Sequence, residues 1–358
     1  MRVGLVIYGS LDTLSGGYLY DRKLVDRLRS HGDQVEIISL PWQRYALHLA
    51  HNFWPELRRK LAGLEVDVLL QDELNHPSLF LVNGWLRRRA GYRLVSIVHH
   101  LRSSEQHARI LLPLYRMIER RYLRSVDGFI FNSHTTRQEV ERLIGEEKPA
   151  LVATPGGDAG ESLENTAHSQ FGNSLQILFV GNIIPRKGLH TLLRALEGLD
   201  SQDWRLQVVG RMDADPGYFR LIQKMAGREG LKERVVFRGA LNGQELAQVW
   251  ASSHVLCVPS SYEGFGIVYL EAMRNGVVPI GSTQGAAGEI ITDGVDGYLV
   301  DPHDSIPLGK VLTRLAGDRQ VVREIQEKAQ AAYQRFPTWA QTTSDIRQFI
   351  LQLIGQPG

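Results

Sequence analysis

Two glutamates eight residues apart, Glu263 and Glu271, bracket the run Gly264-Phe265-Gly266-Ile267-Val268. Pro259-Ser260-Ser261 closes the apolar strand before them, so the Phe265-Gly266 peptide is expected to open a helix. A helix start offers unpaired N–H groups and the positive end of the dipole, which suits a diphosphate. Glu271 lies beside that start, since residues advance by about 100° along a helix. One acid can then grip the hydroxyls of a sugar and the other those of a ribose. Taken alone, the stretch also fits an ordinary strand-turn-helix with solvated glutamates.

Three further groups belong to the same chemistry. In Gly181-Asn182-Ile183-Ile184-Pro185-Arg186-Lys187-Gly188, Pro185 sets the turn and Gly188 frees a helix entrance, while Arg186 and Lys187 put two cations where an anion would rest. Gly16-Gly17 ahead of the first helix permits close approach of a phosphate but lacks the full G-x-G-x-x-G spacing, and tight turns without ligands look the same. His99-His100 ends the fourth strand, where a histidine can bond a sugar hydroxyl or help a proton leave an acceptor; adjacent residues point apart, so one at most faces a site. No Asp-x-Asp or cysteine cluster accompanies them, so neither a metal nor a cofactor is expected. Cys257, inside an apolar strand, reads as core.

The elements that must position these residues alternate as β and α from the start. Strands are predicted at 3–8, 35–39, 66–70, 93–98 and 128–131, with helices at 18–30, 44–61, 77–90, 106–124 and 135–143. Residues 153–174, rich in Gly, Ser and Asn without periodicity, read as a linker. A second series follows, with strands at 176–180, 205–209, 235–237, 255–258 and 277–280 and helices at 188–199, 217–229, 243–252 and 266–275. Helical patterns at 304–316 and 319–335 precede a last helix capped by Thr338. The expectation is an α/β protein: a Rossmann-like domain over 1–160, a second over 161–336, and a helix over 337–358 packing back on the first. Ligands of open α/β sheets bind beyond the carboxyl ends of strands, so two facing sheets can share one cleft.

A chain of 358 residues, 43% hydrophobic and 22% charged, has core enough for two domains. Its 41 basic and 39 acidic residues leave a net charge of +2, and no nucleic-acid motif is present, so a nucleic-acid partner is not expected. Locally the balance shifts: residues 42–124 hold fourteen Lys/Arg, Arg109 among them, against seven Asp/Glu. Trp42, Tyr45, Leu49, Phe53, Trp54 and Leu57 interleave with Arg44, Arg58, Arg59 and Lys60. Residues 42–61 and 87–124 therefore fit either a helical surface on an anionic membrane or a core-facing stripe with a solvated basic back. A single cysteine, and an N-terminus that enters a strand without signal-peptide features, predict a cytoplasmic protein, peripheral at the inner face of the membrane if it binds one.

Together these motifs resemble the retaining GT-B glycosyltransferases of family 4, in the glycogen-synthase-like clan, over nearly the whole chain. The resemblance rests on Glu-x7-Glu at Glu263 and Glu271, the turn from Gly181 to Gly188, Gly16-Gly17, His99, Phe131-Asn132-Ser133, Pro155-Gly156-Gly157-Asp158 and the Trp339 helix. It implies two Rossmann-like domains, an acceptor held by the first and a nucleotide-sugar donor by the second. It further implies that Lys187 meets the diphosphate, that Glu263 and the Gly264-Phe265-Gly266 backbone hold the donor sugar, that Glu271 holds the ribose, and that His99 lines the reacting centre. Transfer would retain the anomeric configuration by front-face attack, without protein nucleophile or metal, and Arg186 and Lys187 would stabilise the leaving diphosphate. Base contacts are expected from the loops at Arg211 and at Gly239-Ala240-Leu241.

Two positions depart from the family pattern. Asn182 stands where many relatives carry Arg, which leaves Arg186 to substitute, and His100 stands where many carry Asp. The expected activity is transfer of a sugar from a nucleoside-diphosphate sugar, UDP- or GDP-linked, to a hydroxyl acceptor such as a glycan or lipid-linked glycan. The alternatives are a nucleotide-sugar epimerase or hydrolase on the same fold, and a non-catalytic nucleotide-sugar-binding subunit.

Overall fold

The computed structural model describes residues 1–105, 110–157, 174–199 and 203–355. Asp158, Arg109, most of the expected linker and the first residues of the helix expected at 106–124 lie outside them. The chain separates into two compact units, Met1–Gly156 with Pro337–Gly358, and Gly157–Phe336.

In the first unit, strands β1 (Arg2–Tyr8), β2 (Gln34–Leu40), β3 (Val68–Asp72), β4 (Arg93–Val98), β5 (Gly128–Phe131) and β6 (Ala150–Val152) form one parallel sheet in the order β2-β1-β3-β4-β5-β6. Every residue of β3 and β5 is buried, as expected where helices cover both faces. The helices are α1 (Gly16–Ser30), α2 (Tyr45–Ala50), α3 (Pro55–Ala62), α4 (His76–Leu79), α5 (Val82–Leu86), α6 (Leu112–Ser125) and α7 (His134–Ile144). Local chemistry sets their ends. Ser133 caps α7 by accepting from the Thr136 N–H at 3.0 Å, and Gly145 closes it at φ 70°, a left-handed turn that glycine adopts without a Cβ penalty.

The second unit repeats the plan with a different strand order. Strands β7 (Leu175–Val180), β8 (Trp204–Val209), β9 (Val235–Gly239), β10 (Val255–Cys257), β11 (Val278–Ser282) and β12 (Tyr298–Val300) run parallel as β12-β11-β10-β7-β8-β9. Helices α8 (Leu189–Glu197), α9 (Pro216–Ala226), α10 (Gly243–Ala251), α11 (Ile267–Arg274), α12 (Ser305–Gly317) and α13 (Arg319–Tyr333) cover it. Leu189, Leu192, Leu193 and Leu196 line the buried side of α8 at helical spacing. Each contributes roughly 1.5–3 kcal/mol by leaving water.

This is the Rossmann order, whose switch point falls between β7 and β10; the first unit has the flavodoxin-like order, switching between β1 and β3. Helix α14 (Trp339–Gly355) belongs to the first unit, where it packs on α1. Arg347 Nε donates to Asp33 Oδ2 at 2.6 Å, and Thr342 Oγ1 to the Thr154 carbonyl at 2.9 Å.

Several expectations are corrected. The helix expected over 44–61 is two helices joined by a 3-10 turn at His51–Phe53, because Pro55 has no N–H to continue the ladder and holds Trp54 extended at ψ 109°. The stretch expected over 77–90 is likewise two short helices, α4 and α5, and β3 runs two residues later than 66–70. Gly16 and Gly17 are the first two residues of α1, with Ser15 as cap, rather than a turn ahead of it. β6 and β12 were not expected; at three residues each they are too short to show a period.

Candidate active site

The turn from Gly181 to Gly188 and the stretch that begins at Glu263 follow β7 and β10, the neighbouring strands that flank the switch point of the second unit. Both turns depend on glycine. Gly188 ends a 3-10 turn at φ 71° and starts α8, and a Cβ there would stand 2.0 Å from the Pro259 carbonyl. Gly266 precedes α11 at φ 99°, pressed against the Tyr269 ring. Hydrogen bonds knit the turns together: the Ser261 N–H donates to the Arg186 carbonyl at 2.7 Å, and Arg186 Nη1 to the Tyr262 carbonyl at 2.8 Å.

This lacing brings Lys187 to Glu263. Lys187 Nζ donates to Glu263 Oε1 at 2.5 Å, Ser260 Oγ donates to the same oxygen at 2.6 Å, and Arg186 Nη1 lies 3.7 Å from Oε2. Glu263 is buried. Burial alone would raise its pKa, but the Lys187 and Arg186 charges and the two hydrogen bonds outweigh that and hold it at about 2. The Lys187 ammonium is itself lowered by burial, opposed by Glu263. The site is thus a buried carboxylate flanked by two cations at the mouth of a helix. Ser260 is a member that sequence reasoning took only as the end of a strand.

The other residues expected to hold the donor divide. Phe265 is buried in the core of the second unit, Gly264 is buried, and Ile267, Val268, Asn182 and Glu271 are half-buried, Glu271 on α11. Arg211 pairs with Asp213: its Nε and Nη2 each lie 3.0 Å from a carboxylate oxygen of that residue.

In the first unit Gly17 comes against His99, where a Cβ would lie 3.1 Å from the ring. His99 Nε2 is 3.3 Å from Asp21 Oδ1, and Asn132 Nδ2 donates to the His99 carbonyl at 2.8 Å. His100 pairs instead with Glu105, at 3.1 Å. Asp21 is completely buried, and sequence reasoning missed it: its partner is 78 residues away, and one acid within an amphipathic helix carries no signal.

Beyond β3 lies a second buried polar group that the sequence did not announce. His76 Nδ1 donates to the Glu73 carbonyl at 3.0 Å, Tyr45 Oη is 3.1 Å from His76 Nε2, and Glu119 accepts from the Ser103 N–H at 3.1 and 3.2 Å. Burial raises Asp72 to about 7, Glu73 to about 8 and Glu119 to about 7, and lowers His76 to about 4. Asp21, Asp72 and His99, and separately Glu73, His76 and Glu119, are close enough to surround an ion. In each group the histidine already lies close to a carboxylate of the same group, His99 Nε2 3.3 Å from Asp21 Oδ1 and His76 Nδ1 3.0 Å from Glu73 Oε1.

Two parallel α/β units, one with Rossmann strand order and a cation-flanked glutamate at its switch point, define a two-domain enzyme of the Rossmann-like class. Comparison with known proteins places it further. The model "Glycosyltransferase Family 4" matches residues 17–158 and "Glycosyl transferases group 1" matches residues 163–332, so the chain belongs to the family 4 glycosyltransferases and has the GT-B fold. It is 28% identical to phosphatidyl-myo-inositol mannosyltransferase of Mycobacterium leprae, covering 97% of this chain and 95% of that protein. Among solved structures it is similar to sucrose-phosphate synthase from Thermosynechococcus elongatus, with TM-score 0.86, 21% identity and 98% of each chain covered. Anabaena HepE in complex with UDP-glucose gives TM-score 0.78 at 20% identity, covering 98% of this chain and all of that one.

Proposed function

We propose that this glycosyltransferase takes its sugar from a nucleoside diphosphate and transfers it with retention to a hydroxyl acceptor. The observation that carries the reading is the Lys187–Glu263 pair between two interlaced turns, with Arg186 beside it. A buried ion pair is costly to assemble, and truncating either partner leaves an uncompensated charge. A diphosphate on Lys187 and sugar hydroxyls on Glu263 would give each charge a new partner, so the pair is poised to be shared between the two halves of one donor.

In the transfer, the bond from the anomeric carbon to the diphosphate oxygen breaks and a bond to the acceptor oxygen forms on the same face. The acceptor proton passes to the departing phosphate oxygen. Lys187, Arg186 and the entrance of α11 stabilise the charge that develops there, which supplies electrostatically what a metal would otherwise provide. In the first unit His99 is the group offered to the acceptor, and in the second Glu271 holds the ribose. A donor linked through UDP fits the HepE complex, whereas a mannosyl donor and a lipid-borne inositol acceptor fit the mycobacterial relative. The test is a thermal-shift screen with UDP, GDP and ADP and their sugars, followed by NMR of the product anomer. A rise in melting temperature with one nucleotide series and a retained anomer support the reading; inversion, or no shift with any nucleotide, overturns it.

We also propose that the acceptor is met at an anionic membrane surface. Its support is an exposed apolar cluster, Trp42 at 64% and Phe53 at 71%, together with Ile110 at 86%, Leu114 and Met117 at the α6 end. Tyr45 of α2 and Tyr115 of α6 touch at 4.8 Å between ring centres, with Arg102 over both rings, so the two patches adjoin. Arg116, Arg120, Arg121 and Arg124 line the groove along α6. Leu57, expected at such a surface, is buried instead. No helix among the described residues is long and apolar enough to cross a membrane.

A further inference from the structure

We propose that Asp21 is a positioning residue for the transfer: it fixes the His99 ring with its Nε2–H turned to α1, so that Nδ1 is the nitrogen offered to the substrate. The inference rests on the proposed role of His99 toward the acceptor.

The geometry leaves the ring little choice. An ionised carboxylate oxygen only accepts, so the 3.3 Å approach of Asp21 Oδ1 to His99 Nε2 requires the proton on Nε2. Gly17 closes one side of the ring, and any larger residue would push it. Tyr20 meets it edge-on at 5.2 Å between centres, and Asn132 holds the His99 carbonyl from below. Nδ1 has no partner among the described residues, and the side chain keeps 10% of its surface exposed. Asp21 Oδ2 is likewise buried without a hydrogen-bond partner, so the carboxylate is held in place by its one bond to His99.

The charges around the ring act in one direction. Asp21 faces it from α1, Asp72 from the end of β3 and Glu73 from the turn that follows; Tyr20, also on α1, is kept neutral by burial. Burial lowers the basicity of His99, but the Asp21 bond and charge, helped by Asp72 and Glu73, more than restore it. Held as an imidazolium, His99 donates from Nδ1 to an acceptor oxygen; as the neutral Nε2–H form, it accepts there. Asp21 thus sets both which nitrogen reaches the substrate and the pH at which it changes role.

The test compares full-length wild type with Asp21→Asn, Asp21→Glu and His99→Gln, using pH profiles of kcat and 15N NMR of histidine-labelled protein in which His99 is identified by its loss in His99→Gln. The wild-type spectrum should show His99 as the Nε2–H form above its pKa, a result that needs no variant to fold. Asp21→Asn should move the His99 limb of the kcat profile to lower pH by about one unit or more, and Asp21→Glu should return it toward wild type. A neutral Nδ1–H form, or a profile unmoved in Asp21→Asn, overturns the inference while leaving the role of His99 intact. Wild-type turnover in His99→Gln instead removes the premise, and the two failures are read separately.

Discussion

The Ser261 N–H donates to the Arg186 carbonyl at 2.7 Å, joining the loop after β10 to the loop after β7. Because β7 and β10 are adjacent parallel strands, their carboxyl ends emerge side by side, and this bond sets the register between the two turns. Lys187 and Glu263, each one or two residues beyond the joined atoms, then meet without either loop being stretched. The two turns are built on strand ends and short hydrogen bonds, and these hold geometry better than long loops do.

The first prediction concerns that pair. Glu263→Gln keeps the shape and the Ser260 bond but removes the charge; kcat/KM should fall by on the order of 100-fold or more, since the charged contact proposed to hold the donor sugar is lost. Lys187→Ala leaves Glu263 buried without its nearest cation and should also cost about 3–5 kcal/mol of stability. Steady-state kinetics and urea denaturation measure the two effects. Near-wild-type turnover in both variants would remove the donor assignment.

A second prediction separates backbone from side chain. Gly188→Ala would push a methyl group into the Pro259 carbonyl at a left-handed φ, whereas Gly145→Ala has the same φ but nothing within 4 Å. Both should destabilise by about 1–2 kcal/mol from φ alone, and Gly188→Ala should lose further stability from the clash. Donor binding, followed by thermal shift, should weaken only in Gly188→Ala.

Much of this was legible in the sequence, and what was not has identifiable causes. Strands such as Leu175–Val180 announce themselves because both faces are buried and the run is continuously apolar. The turn glycines 188 and 266 were legible because a basic or acidic motif sat on each. The break at Pro55 was readable in principle but was overridden by the apolar spacing of Tyr45, Leu49, Phe53 and Leu57, which belongs to two helices with different neighbours. Asp21, Glu73 and Glu119 were invisible: an acid's burial is decided by partners from distant strands, and no local pattern encodes a contact across 78 residues.

Those hidden acids make the third prediction, on pH and stability. Asp72, Glu73 and Glu119 have folded pKa values raised to about 7, 8 and 7, so the unfolded chain binds fewer protons than the folded one between pH 4 and 8. Their contribution is full below about pH 4 and is lost as pH rises through 7 to 8. His48 and His76, lowered to about 4, act oppositely, contributing above about 6.5 and losing it as pH falls to 4. Urea midpoints should therefore decline from pH 6.5 to 8 and then level. Glu73→Gln should flatten that decline, and an unchanged slope would show that Glu73 ionises freely.

The fourth prediction concerns α14. Ile346 and Ile350 are fully buried in the first unit, so truncating either to Ala should cost about 2–5 kcal/mol in urea unfolding. Losses below 0.5 kcal/mol in both would mean that the helix is not part of that core.

The last prediction concerns the apolar and basic surface around α2 and α6. Trp42 and Phe53 lie outside the packed core, so Trp42→Ser and Phe53→Ser should leave the urea midpoint nearly unchanged while weakening sedimentation with vesicles containing anionic phospholipid. Arg120→Gln and Arg121→Gln should each reduce vesicle binding by on the order of fivefold at low salt, and the loss should shrink as salt screens the surface. The two kinds of variant separate the contributions, because inserted aromatics respond little to salt and arginines respond strongly. Equal binding to neutral and anionic vesicles would leave the arginines without a lipid role. No binding to either would return Trp42 and Phe53 to the ordinary exposed apolar residues that every soluble surface carries.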